Sequence, residues 1–130
     1  MRFIILLCCL FVFTPVHSED EEESTVPDVI YYKLNPQFTV NLQGEKHYLR
    51  TTIQLQLKSE EVKSAIEEHD VALRHTLILL LSDNDAEDIG TIQGREQLRL
   101  AAVEELNKAL KKYAKKTGIV NVFFTEFVSQ

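Results

Sequence analysis

Tyr48-Leu-Arg-Thr-Thr-Ile-Gln-Leu-Gln-Leu57 is the stretch whose reading decides the fold. Successive side chains of an extended strand point to opposite sides, so period-2 patterning assigns each residue to a face. Leu49, Thr51, Ile53, Leu55 and Leu57 share one face; Arg50, Thr52, Gln54, Gln56 and Lys58 share the other. Alternation this regular describes an antiparallel strand buried on one side, because a strand of a parallel sheet, covered on both faces, reads as a continuous apolar run.

Toward the N-terminus, Val29 to Leu34 is β-prone and Asn35-Pro36 is a turn signal. Phe38, Val40 and Leu42 then alternate on one face, and Gln43 to Lys46 forms a polar hairpin-like loop. Toward the C-terminus the period changes at Ser59, a helix cap followed by Glu60 and Glu61, which favour the positive end of the helix dipole. Val62, Ala65 and Ile66 form its inward stripe. Asp70 caps a second segment, Val71 to Leu81, with Val71, Leu77, Ile78 and Leu81 expected to face the core. Ser82 to Gly90 reads as a loop or one short helical turn. The longest helix runs from Gly94 to Lys115 on the stripe Leu98, Ala102, Leu106, Ala109, Leu110 and Tyr113, with Gly118 as its C-cap. Ile119 to Val128 is a closing strand, apolar on both faces and expected to be inserted or well covered. The order β-β-β-α-α-α-β predicts an α+β fold, an antiparallel sheet of about four strands with helices on one face.

Ahead of that domain, Met1-Arg2 and the apolar run Phe3 to Phe13 precede Thr14-Pro15 and Val16-His17-Ser18. This is the order of a secretory signal, with the cut between Ser18 and Glu19; a membrane-spanning helix needs about 20 apolar residues. The organisation read from the sequence is a signal at 1–18, an acidic linker at 19–28 and one domain at 29–130. Cys8 and Cys9 fall inside the signal, so a chain beginning at Glu19 has no disulfide or cysteine metal site.

The 130 residues carry a net charge of −6, which excludes a nucleic-acid backbone as the natural partner. The basic run Lys108 to Lys116 sits at a helix end, where lysines complement the dipole. His47 lies in or beside a loop. His69 and His75 are separated by about 240° around a continuous helix, the wrong spacing for one metal. There is no nucleophile elbow, and Gly90 and Gly94 lack the Gly-Lys-Ser/Thr of a phosphate loop, permitting a tight turn instead. No catalytic residue, metal or cofactor is expected. Glu126 shares a face with Val122, Phe124 and Val128 if alternation is unbroken; an unpaired buried carboxylate is costly. It is therefore expected at the rim or paired with a cation, Arg50 being the partner to test.

Four stretches in order resemble one family: YLRTTIQLQL at 48–57, VALRHTLILLLSD at 71–83, TIQGREQLRLAAVEELNKAL at 91–110, and the terminal NVFFTEFVSQ. Together they resemble the periplasmic domain of the FliL family of flagellar basal-body-associated proteins. The resemblance implies a non-enzymatic role at the inner membrane beside flagellar stator units, supporting torque and swarming. It also implies a domain similar to the stomatin-type scaffold, which assembles into homo-oligomeric rings. Typical members carry a full transmembrane helix, whereas the short apolar run here suits a soluble periplasmic form. A small periplasmic binding or inhibitory module unrelated to motility is the alternative.

Overall fold

A computed structural model describes residues 28–44 and 46–130. The expected signal (1–18), its Ser18–Glu19 cut and the acidic linker, apart from Asp28, lie outside the described residues. Strands β1 (Ile30–Lys33), β2 (Phe38–Asn41) and β3 (Tyr48–Leu57) are followed by helices α1 (Glu60–Glu68), α2 (Asp70–Ser82), α3 (Ala86–Gly90) and α4 (Ile92–Ala114). Strand β4 (Ile119–Ser129) closes the chain.

The alternating strand β3 is the spine of the sheet. Its C-terminal half pairs with β1 (Ile30 opposite Leu57) and its N-terminal half with β2 (Phe38 opposite Thr51). β4 pairs antiparallel with β3 from Leu49 to Leu57. A strand has two sides, so β1 and β2 lie end to end along one of them and β4 takes the other. The fold is α+β with a four-stranded antiparallel sheet and helices packed against it.

Leu49, Thr51, Ile53, Leu55 and Leu57 are all buried, as the alternation requires. Thr51 satisfies its hydroxyl by donating to the Glu126 carbonyl at 2.5 Å, which removes the cost of burying it. Ser59 caps α1 by accepting from Val62 N. Thr91 caps α4 by accepting from Gly94 N at 2.9 Å. Gly94 permits this tight turn, since a Cβ there would sit 1.7 Å from the Asp88 carbonyl oxygen. Leu98, Ala102, Leu106, Ala109 and Leu110 of α4 are buried. Among the described residues, no helix is long and apolar enough to cross a membrane.

Four expectations are corrected. Val71 is 84% and Ile78 39% exposed; α2 buries Leu73, Leu77 and Leu81 instead. Tyr113, expected on the α4 stripe, is half exposed on the last turn. Lys115, in the left-handed region at φ 58°, caps α4 rather than Gly118. Gly118 is nevertheless required at φ 146°, where a Cβ would lie 2.5 Å from Val62 Cγ2. Finally, among the described residues β4 is not inserted in the sheet: it pairs there only with β3 and leaves its other edge without a strand partner.

The both-sided apolar pattern of β4 comes from two register shifts. They fall between Thr52 and Ile53 and between Gln56 and Leu57 of β3, opposite Thr125 and Val120. Each bulge adds one residue, so the face that alternation assigns is inverted beyond it. Ile119, Val122, Phe124 and Phe127 thereby oppose Leu57, Leu55, Ile53 and Thr51 on the inner face of β3.

Candidate functional site

The three histidines of the described region are not brought together. His47 and His75 are exposed, and His69 lies at the α1–α2 junction with its ring 6.0 Å from that of Tyr113. Among the described residues no group of three or more His, Cys, Asp or Glu side chains is placed to hold a metal.

Glu126 is displaced by the bulge at Thr125 to the outer face, opposite Thr52 rather than beside Ile53. It is exposed, as one of the two expected resolutions required. Its carboxylate accepts from Gln37 Nε2 at 2.7 Å. Arg50 stands opposite Val128 and is also exposed. The ion pairs found among the described residues do not include one between Arg50 and Glu126. Nothing in the alternation signalled Gln37, because its role depends on a bulge.

Two asparagines that the apolar patterning did not single out, Asn107 in α4 and Asn121 in β4, join the helix to the strand. Asn107 donates to the Ile119 carbonyl at 2.8 Å and accepts from Gly118 N at 3.1 Å and Ile119 N at 3.0 Å. Its side chain therefore satisfies backbone groups where the chain turns from helix to strand, at the end of the β3–β4 ladder, where Ile119 opposes Leu57 and the Gly118 carbonyl accepts from Lys58 N. Asn121 accepts from the Arg99 guanidinium and from Val122 N.

The N-terminal half of α4 and the middle of β4 enclose a groove of about 580 Å³. Val122, Phe124 and Phe127 line it from the inner face of β4, and Ile92, Arg95 and Arg99 from the helix. The buried stripe of α4 begins at Leu98, and no residue of its first turns, Ile92 to Gln97, is buried. Phe124 and Phe127 stack edge to face at 5.5 Å. Arg95 spans the groove's end: its Nε donates to the Ile89 carbonyl at 2.9 Å, and its guanidinium lies 4.8 Å from the Phe127 ring centre. Arg99 is held by Glu96 at 2.5 Å. Hydrogen bonding to Arg99 lowers the Glu96 carboxyl below its ordinary value, and the same contact raises Arg99. An apolar floor with cations at its wall suits binding of a side chain or peptide; it brings together no nucleophile and base.

The family model described as flagellar basal body-associated protein FliL matches residues 31–130. The chain is similar to the flagellar protein FliL of Aquifex aeolicus (strain VF5), 36% identical over 107 residues, covering 80% of this chain and 64% of that protein. It thus spans less than two thirds of that relative's length. The flagellar protein FliL of Escherichia coli (strain K12) is 31% identical over 114 residues, 87% of this chain and 73% of that protein. The flagellar protein FliL of Bacillus subtilis (strain 168) is 23% identical over 118 residues, with 90% and 81% covered. The match runs through every element from β1 to β4, including both asparagine junctions and the groove, and on that ground the chain belongs to the FliL family of flagellar basal body-associated proteins.

Proposed function

We propose that this protein is a non-enzymatic accessory of the flagellar motor that supports stator function, and through it swimming, swarming and chemotactic motility. The observation that carries the reading is the family match over residues 31–130, which takes in nearly the whole described domain. The site chemistry is in keeping with it, being a groove for contact rather than an assembly for bond making. In this reading the domain works in the periplasm, against the inner membrane at the basal body. Its partners are stator and basal-body proteins and further copies of itself. Residues 1–18 act as an export signal cut between Ser18 and Glu19, and 19–28 as a solvated lead-in.

An in-frame deletion tests it. Loss of swarming and reduced swimming in viscous medium, restored by the intact gene, are expected. Undiminished swimming and swarming under load would remove the motor role. N-terminal sequencing of the exported protein checks the cut: a first residue of Glu19 is expected, and retention of Met1 would make the segment an anchor.

A further inference from the structure

We propose that the α4–β4 groove is a strand-addition site, taking an extended partner peptide of alternating apolar and acidic residues. The proposal goes beyond the motor role and does not rest on it. Three independent features meet at this place.

The first is backbone. Among the described residues β4, an 11-residue strand, is paired on one side only, to β3. Its other edge has no strand partner among them; Asn121 Oδ1 accepts from the Val122 N–H, and the remaining N–H and C=O groups of that edge are ones a further strand can satisfy. Bulges opposite β3 at Val120 and Thr125 bracket a regular run, Asn121 to Phe124, and so confine ladder pairing to that run.

The second is shape. Phe123 opposes Gln54 on the outer face, whereas Val122 and Phe124 belong to the inner face, yet all three line the groove. A depression lined from both faces of one strand runs along that strand's edge. In an added strand every second side chain points to the same side. Those on the inner side would meet the partly buried Phe124 and Phe127 and cover Ile92, which is 83% exposed.

The third is charge. The chain is acidic overall at −6, but Glu96 is occupied by Arg99, and Arg95 makes no ion pair among the described residues. The groove therefore presents an uncompensated guanidinium beside an apolar floor, which selects a carboxylate next to an apolar side chain. Other occupants fit less well. The β4 strand of a second copy carries one acid, Glu126, which lies on the outer face engaged by Gln37. The chain's own acidic stretch Glu19 to Ser24 has carboxylates but no apolar side chain to fill the floor.

The test uses the full chain and the probe acetyl-VEVEVEV-amide, read by anisotropy of the labelled peptide and by backbone amide shifts of the protein. Binding is expected to shift Asn121 to Phe124 and Ile92 to Arg99. N-methylating alternate residues distinguishes strand addition from apolar adhesion: one set is expected to weaken binding at least about tenfold and the other to be tolerated. Acetyl-VKVKVKV-amide is expected to bind about tenfold more weakly, and Arg95→Glu to invert that preference, with Arg95→Gln removing it while keeping a neutral side chain. No binding of the acidic probe at millimolar concentration overturns the proposal. So do equal effects of the two methylated sets, or shifts away from β4 and α4. Self-association that the probe competes away would give the edge to a second copy. Tighter probe binding after deleting Glu19 to Ser24 would give it to the chain's own lead-in. Either result refutes the partner peptide, whereas a motility result leaves it untouched.

Discussion

Replacing Asn107 with Ala should cost far more stability than its half-buried position on a helix surface suggests. Its amide makes three hydrogen bonds to the backbone of Gly118 and Ile119, at 2.8–3.1 Å. A net 0.5–1.5 kcal/mol for each hydrogen bond sums to about 1.5–4.5 kcal/mol. The freed groups are only partly buried and water can reach some of them, which points to about 2–3 kcal/mol. For a domain of this size that corresponds to a fall in Tm of about 8–15 °C. Urea unfolding should show the loss as a lower midpoint at unchanged slope. Asn107→Asp separates the contributions. It retains both N–H acceptors but sets a carboxylate oxygen against the Ile119 carbonyl, so it should also destabilise. Amide exchange at Gly118 and Ile119 should accelerate in the alanine variant before that of Leu55. A loss below about 0.5 kcal/mol, within the range of ordinary surface substitutions, would refute the claim that this side chain ties helix to strand.

Leu106 is fully buried, so Leu106→Ala should cost about 2–5 kcal/mol, while Leu100→Ala, on the exposed side of the same helix, should cost under about 0.5; thermal melts decide both. Gly118→Ala should destabilise by more than about 1 kcal/mol, since both its φ and the Val62 contact oppose a Cβ, and Val62→Ala should recover only the steric part. A double-mutant cycle on Gln37 and Glu126 should show coupling and one on Arg50 and Glu126 none; the reverse would restore the ion pair expected from the sequence. The Glu96 carboxyl should titrate below an ordinary glutamate in carboxyl NMR, and Arg99→Gln should raise it. Because its folded-state pKa is depressed, its small contribution to stability is present above the unfolded value and lost as pH falls through the folded one.

How much of this was legible in the sequence differs by element. β3 could be read because, apart from the Thr51-Thr52 pair, each successive pair from Leu49 to Gln56 sets an apolar residue against a polar one, leaving one register that buries the leucines. α4 could be read because its stripe of leucine and alanine is flanked by charge. α2 could not be oriented: VALRHTLILLL offers apolar residues in several directions, so burial of Leu73 in place of Val71 is a tertiary choice. β4 misled because alternation has no symbol for an extra residue; with bulges at Val120 and Thr125, Phe124 and Phe127 lie on one side three positions apart. The same omission set Glu126 on the face of Val122 and Phe124, where the rim or a cation was expected to accommodate it, and pointed to Arg50 rather than Gln37 as the partner to test. The family resemblance survived these errors because it rested on the order of four segments rather than on which way their side chains point. The groove was invisible for a different reason, since it depends on β4 lying at an edge, which pairing and not composition determines.

The most direct test of the motor role is torque on single flagellar motors, measured by the rotation of attached beads of graded size in the deletion strain. The account predicts near-normal speed with small beads and a marked loss of torque with large ones, restored by the intact gene. Torque equal to that of the parent strain across the whole range of loads would contradict it.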